Sequence, residues 1–393
     1  MRAVRALVLL LAAATLPAAN NIRPADYASD ARALDGIIAA NYAYLDRFAG
    51  GRAPDSAVLN LERESVHDSR SLLHYAEDKL AALADHHAIA GSSFSDSWAM
   101  IPTYADLWVI RRGDDFVIDA VRDGSPAARA GIAPGDRLVA IDGKPIGQAV
   151  AAFWRSLGLS ANGDERAAYA ARVLAAGRRD RPRHLTVVGR QGRRDVSLPN
   201  LYMAPYPDLP PISIARRSGK VVIRFNNSLG GSGTIDAFDS AMAGVPADTR
   251  VVLDLTNVPS GGNTTVARAV MGWFVTKATS YQVHRLPAEE RETGIPRQWI
   301  EQVLPRAAKH HPLPVAIRVG RWTGSMGEGM AIGFAAMGVP VCGHRMAGLR
   351  GAIYDFKLPA SGLKIELPAE RLYTVHGVPR EKFVPQEGKG CPD

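Results

Sequence analysis

Cysteine is scarce: 393 residues hold two, Cys342 and Cys391, and their spacing fits no metal or redox motif. Phosphate loops and dinucleotide fingerprints are absent, so no cofactor is expected. The His310-His311 pair in "KHHPLP" has no third ligand at a characteristic spacing, so it reads as a solvated loop and no metal site is expected. Beyond the N-terminus no apolar run is long enough for a stable membrane span. A strong charge imbalance is also missing. The formal charge is +8, and the basic residues of "AAGRRDRPRHLTVVGRQGRRD" alternate with strand and turn residues. That pattern suits a solvated face, and no nucleic-acid partner is expected.

What is present is enough apolar material, 47% of residues, with 26 prolines spread along the chain, for two or three globular units. The stretch "MRAVRALVLLLAAATLPAANN" has a basic start, an apolar run and small residues before Ala19, which predicts a cleavable leader over 1–19 and a periplasmic or secreted product. Loss of Arg2 and Arg5 would take the charge from +8 to +6. In an oxidising compartment Cys342 and Cys391 could form one bridge pinning the C-terminal tail; two free thiols are the alternative.

Apolar residues at helical intervals predict an N-terminal helical region within 20–104. Next, over 105–200, short strands alternate with Gly-containing turns, and a helical segment of about 150–176 interrupts them. From 210 to 393 strand candidates ("GKVVIRFN", "TRVVLDLTN", "LPVAIRVG") alternate with helical runs ("GTIDAFDSAMAG", "NTTVARAVMGWFV", "EGMAIGFAAMG"). This predicts a layered α/β core around a largely parallel sheet.

In "GRWTGSMGEGMAIGF" a lone Ser325 stands between glycines where a buried strand gives way to a helix. Helix N-terminal N–H groups can stabilise developing negative charge, and glycines let a substrate approach closely. A nucleophile suits that corner; a plain helix cap is the alternative. A second turn, Pro259-Ser260-Gly261-Gly262, also follows a buried strand and can offer N–H donors.

The run "DGSPAARAGIAPGDRLVAIDG" resembles a PDZ domain. That resemblance implies peptide capture on a sheet edge, with the binding strand at Leu107, Trp108 and Val109. As a whole the chain resembles the serine peptidases that include the carboxyl-terminal processing proteases and the tricorn core protease. The resemblance rests on the helical start, the PDZ module, the Asp254–Gly262 turn and Ser325-x-x-Glu328. It implies an α/β protease core (layered sheet with flanking helices) plus a mostly-β PDZ domain and an N-terminal helical unit. The lysine that serves as base in one branch is missing: its place falls at Leu349 or Arg350, and a guanidinium cannot accept a proton. The His-based branch is matched by "LADHHAIAG", which aligns His87 with the base and puts His86 where that branch has Ser. Its orienting Glu aligns with Glu381.

The resemblance therefore implies a site of Ser325, His87 and Glu381, with Gly261 and Met326 N–H groups as oxyanion donors and His86 and Glu328 bracing the site. An unperturbed histidine would set the acid limb of activity between about pH 6 and 7.5. The expected activity is hydrolysis of protein or peptide substrates recruited by the PDZ groove, free C-termini among the handles it could take. The alternative is a catalytically silent protein on the same core that binds peptides or hydrophobic ligands.

Overall fold

The computed structural model describes residues 26–202, 208–217 and 219–386. The expected leader lies outside them, and so does Cys391, hence the expected Cys342–Cys391 bridge. Among the described residues no helix is long and apolar enough to cross a membrane.

The N-terminal region folds into helices Tyr27–Asn41, Ala57–Glu64 and Ser69–Ala81. Side chains cap each start: Asp26 accepts the Ser29 N–H at 2.8 Å, Ser56 that of Leu59 at 3.1 Å, and Asp68 that of Ser71 at 2.7 Å. Their apolar faces, with Leu34, Ile38, Leu72 and Leu80, close over Leu358, Ile365 and Leu367 of the C-terminal part of the chain. The helices are thus part of one packed body. Two turns after the third helix the chain reaches His86 and His87.

A six-stranded antiparallel sheet follows, running in order Leu107–Arg112, Asp115–Val121, Arg137–Ile141, Arg183–Gly189 and Gly192–Leu198, with Lys144–Pro145 paired beside Arg137–Ile141. Ser125 caps the short helix Pro126–Arg129, whose proline needs no N–H partner at the first helical position. The expected helical segment is two helices, Ile146–Ser156 and Asp164–Ala176. A buried ion pair ties this unit together. Arg183 meets Asp106 in two hydrogen bonds of 2.7 and 3.0 Å, and both side chains are 2% exposed. Asp106→Ala would leave the guanidinium buried and uncompensated, so urea unfolding is expected to show a loss of about 3–5 kcal/mol.

The last region holds two sheets. One runs Val341–Gly343, Ala316–Val319, Arg250–Asp254, Lys220–Phe225, Ile212–Arg217 and is parallel except for its outermost hairpin. The other is antiparallel and joins Ile89–Ala90, Lys364–Tyr373, Thr279–Arg285, Gln298–Val303 and Ala352–Lys357. Helix Met326–Ala336 is buried at every position from Met326 to Phe334 and packs against Thr279–Arg285. A side chain at Gly333 would sit 2.8 Å from the Met271 sulfur and 3.2 Å from the Tyr281 ring. Small residues are therefore what this helix needs to fit its neighbours.

Candidate active site

Ser325 lies between the end of strand Ala316–Val319 and helix Met326–Ala336. Its φ of 48° and ψ of −113° are strained for a residue with a side chain. Two turns hold it there. On one side the 258–261 turn presses close: Val258 accepts the N–H of Gly324 at 3.2 Å, and a Cβ on Gly261 would overlap the Ser325 Cβ. On the other side Glu328, wholly buried, accepts three backbone N–H groups: Ser325 at 2.9 Å, Gly348 at 2.9 Å and Leu349 at 3.1 Å. Burial pushes its carboxyl up to about 7, against the opposing pull of the Arg380 charge and these N–H groups.

The same 348–351 turn reaches His87. The ring Nδ1 lies 2.6 Å from the Arg350 carbonyl, and the backbone N–H donates to Asp85 at 3.0 Å. A carbonyl only accepts, so Nδ1 carries the proton and Nε2 presents a lone pair. Nε2 has no hydrogen bond among the described residues. The turn is fixed from behind by Arg380, whose guanidinium donates to the Leu349 carbonyl at 3.1 Å and that of Gly351 at 2.6 Å. His87 is 4% exposed, and burial, with the Arg380 charge adding to it, pushes its pKa down to about 4. The Arg350 carbonyl opposes that shift.

Several expectations need correction. Glu381 does not orient His87: the Arg350 carbonyl occupies Nδ1, while one Glu381 oxygen and the Tyr44 hydroxyl are buried without hydrogen-bond partners among the described residues. The Gly261 N–H donates to the Val258 carbonyl at 3.1 Å, because a φ of +67° closes a tight turn there. Of the two expected oxyanion donors, only the N–H of Met326, at the first helical position, is uncommitted among the described residues. His86 is held by the helix Asp164–Ala176. Its ring stacks on Tyr169 at 4.4 Å, and its Nε2 accepts from Arg172 at 2.9 Å.

The segment entering Ser325 is anchored on the six-stranded unit. Trp322 donates from its indole to the Ala105 carbonyl at 2.7 Å, and Arg321 pairs with Asp119 at 2.8 Å. Trp322 and Leu349 are both buried in that unit's core.

A PDZ-domain family matches residues 117–153. No curated protein matches the chain by sequence. Among solved structures, a photosystem II D1 C-terminal processing protease aligns over 93% of this chain and 94% of its own, with 15% identity and a TM-score of 0.55. The chain has the fold of the carboxyl-terminal processing proteases. Mature CPAF complexed with lactacystin is similar to the same extent, with 92% of this chain and 93% of that one covered, 13% identity and a TM-score of 0.56.

Within this processing-protease fold the PDZ edge is occupied. Leu107, Trp108 and Val109 are at most 2% exposed, because helix Asp164–Ala176 packs along their strand and against Ile146–Ser156. Arg172 of that helix donates to the Val109 carbonyl at 3.3 Å and lies 5.2 Å over the Trp108 ring. Farther along, Glu165 accepts from Arg47 at 2.8 Å and also bonds Arg350. An alanine-rich helix fits so close to a strand because its side chains are short. The sequence marks the helix but not the groove it fills. Nor does a backbone carbonyl such as that of Arg350 leave any sequence signal.

Proposed function

We propose that the protein is an exported serine endopeptidase of the processing-protease type, with Ser325 as nucleophile and His87 as base. The observation that carries this reading is the shared 348–351 turn: it bonds the nucleophile corner through Glu328 and holds the tautomer of His87 through the Arg350 carbonyl. His87 Nε2 takes the Ser325 Oγ proton as the oxygen attacks a peptide carbonyl, whose oxyanion is met by the Met326 N–H. The imidazolium then gives its proton to the leaving amine, and water repeats the sequence to release the acyl group. The committed Gly261 N–H and the displaced Glu381 favour the second reading, a silent peptide-binding protein on the same fold. A fluorophosphonate probe separates the two: it is expected to label the wild type at pH 8 and not Ser325→Ala. A folded wild type that stays unlabelled would overturn the peptidase reading.

A further inference from the structure

Asp85, His86 and residues 88–93, on either side of His87, line a cavity of about 1010 Å³ between the N-terminal helices and the PDZ unit; His87 and Ser325 themselves are not in its lining. Ala88, Ile89 and Ala90 line it, together with Ala152, Phe153 and Tyr169 of the PDZ unit's two helices. Strand Ile89–Ala90 is the edge of its sheet, paired antiparallel with Lys364–Tyr373. In that register the Gly91 N–H donates to Lys364 at 2.8 Å. Gly91 and Ile89 therefore face the partner strand, and the N–H and C=O of Ala90 point the other way. Neither Ala90 group has a hydrogen bond among the described residues.

We propose that an extended polypeptide enters this cavity as an added strand on Ile89–Ala90, exchanging its backbone N–H and C=O with those of Ala90, three residues from His87. This rests on the peptidase reading and names a site, outside the Ser325 corner, where its substrate is held. Strand addition draws affinity from the backbone and selectivity from alternate side chains. Here the alternate side chains meet the Phe153–Tyr169 wall, which selects aliphatic or aromatic residues. Six carboxylates and four Lys or Arg side chains line the space. Among those cations, Arg178 lies 4.2 Å over the Trp98 ring and Lys364 is paired with Glu366. The excess of carboxylate favours a Lys or Arg beside the apolar residue over an Asp or Glu. The cavity also answers the loss of the usual edge, since helix Asp164–Ala176 covers the PDZ strand.

The test uses the full chain carrying Ser325→Ala and fluorescent unstructured octapeptides rich in Phe and Lys, with binding read by anisotropy. Ala90→Pro deletes only the outward N–H, because the partner strand receives nothing from it, and edge strands tolerate proline. Ala152→Trp fills the cavity from the PDZ unit's helices. Both are expected to weaken binding tenfold or more, and replacing Lys by Glu in the peptide should do the same. Should Ala90→Pro fail to fold, Ala152→Trp decides. Binding unchanged in a folded Ala152→Trp chain overturns the proposal, and so does unchanged binding in a folded Ala90→Pro chain. Fluorophosphonate labelling of the wild type, with Ser325 intact, separates the two failures: a labelled wild type with unaffected binding variants removes the cleft and keeps the peptidase, whereas an unlabelled wild type removes the peptidase.

Discussion

His87→Ala should lower kcat/KM on an unstructured polypeptide by three orders of magnitude or more, and the wild-type profile should hold its activity down to about pH 4. Both expectations follow from the same burial. The imidazole is enclosed and its pKa is pushed down to about 4, so it is neutral and able to accept a proton across the physiological range. Activity is lost as pH falls through that value, because protonation fills the Nε2 lone pair. An ordinary histidine would place this limb near 6.5. Glu381→Gln should change kcat/KM less than tenfold, because the Arg350 carbonyl, not Glu381, sits on Nδ1. Kinetics against pH for the wild type and both variants decide the matter. A fully active His87→Ala removes the His-based assignment, and an acid limb at 6.5 would mean that His87 is solvated in the working enzyme.

How much of this could be read from residues alone depended on whether the signal was local. Ser325 at a strand-to-helix corner was legible because a β-branched run, glycines and a small-residue helix follow one another within positions 315–336. The PDZ unit was legible from its ordered turns, and the parallel sheet from buried runs such as "TRVVLDLTN". The antiparallel sheet was not. Its strand Ala352–Lys357 is mostly exposed and Lys364–Tyr373 carries charges at half-buried positions, so neither reads as a plain apolar run. Neighbouring histidines were told apart only by the resemblance, which aligns His87 with the base. In the structure Tyr169 and Arg172, more than eighty positions away, hold His86, and a backbone carbonyl that any residue could supply holds His87.

The larger structural effect is expected at Glu328. Alanine there would strip the acceptor from the N–H groups of Ser325, Gly348 and Leu349 at once. Each orphaned buried donor costs about 1–3 kcal/mol, so Glu328→Ala should lose several kcal/mol and uncouple the Ser325 corner from the segment that holds His87. Glutamine separates charge from shape. The folded carboxyl titrates at about 7, above its ordinary 4.5. Between those two values the folded chain therefore binds more protons than the unfolded one. Stability from this group is fully present below 4.5 and is lost as pH rises through 7, a change on the order of 3 kcal/mol. Glu328→Gln, which mimics the protonated acid at every pH, should abolish that part of the loss. Urea unfolding of the wild type and Glu328→Gln at pH 5 and pH 8 measures it. Parallel pH dependence in the two proteins would show that the carboxylate is already ionised in the fold, held so by its three N–H donors and the Arg380 charge.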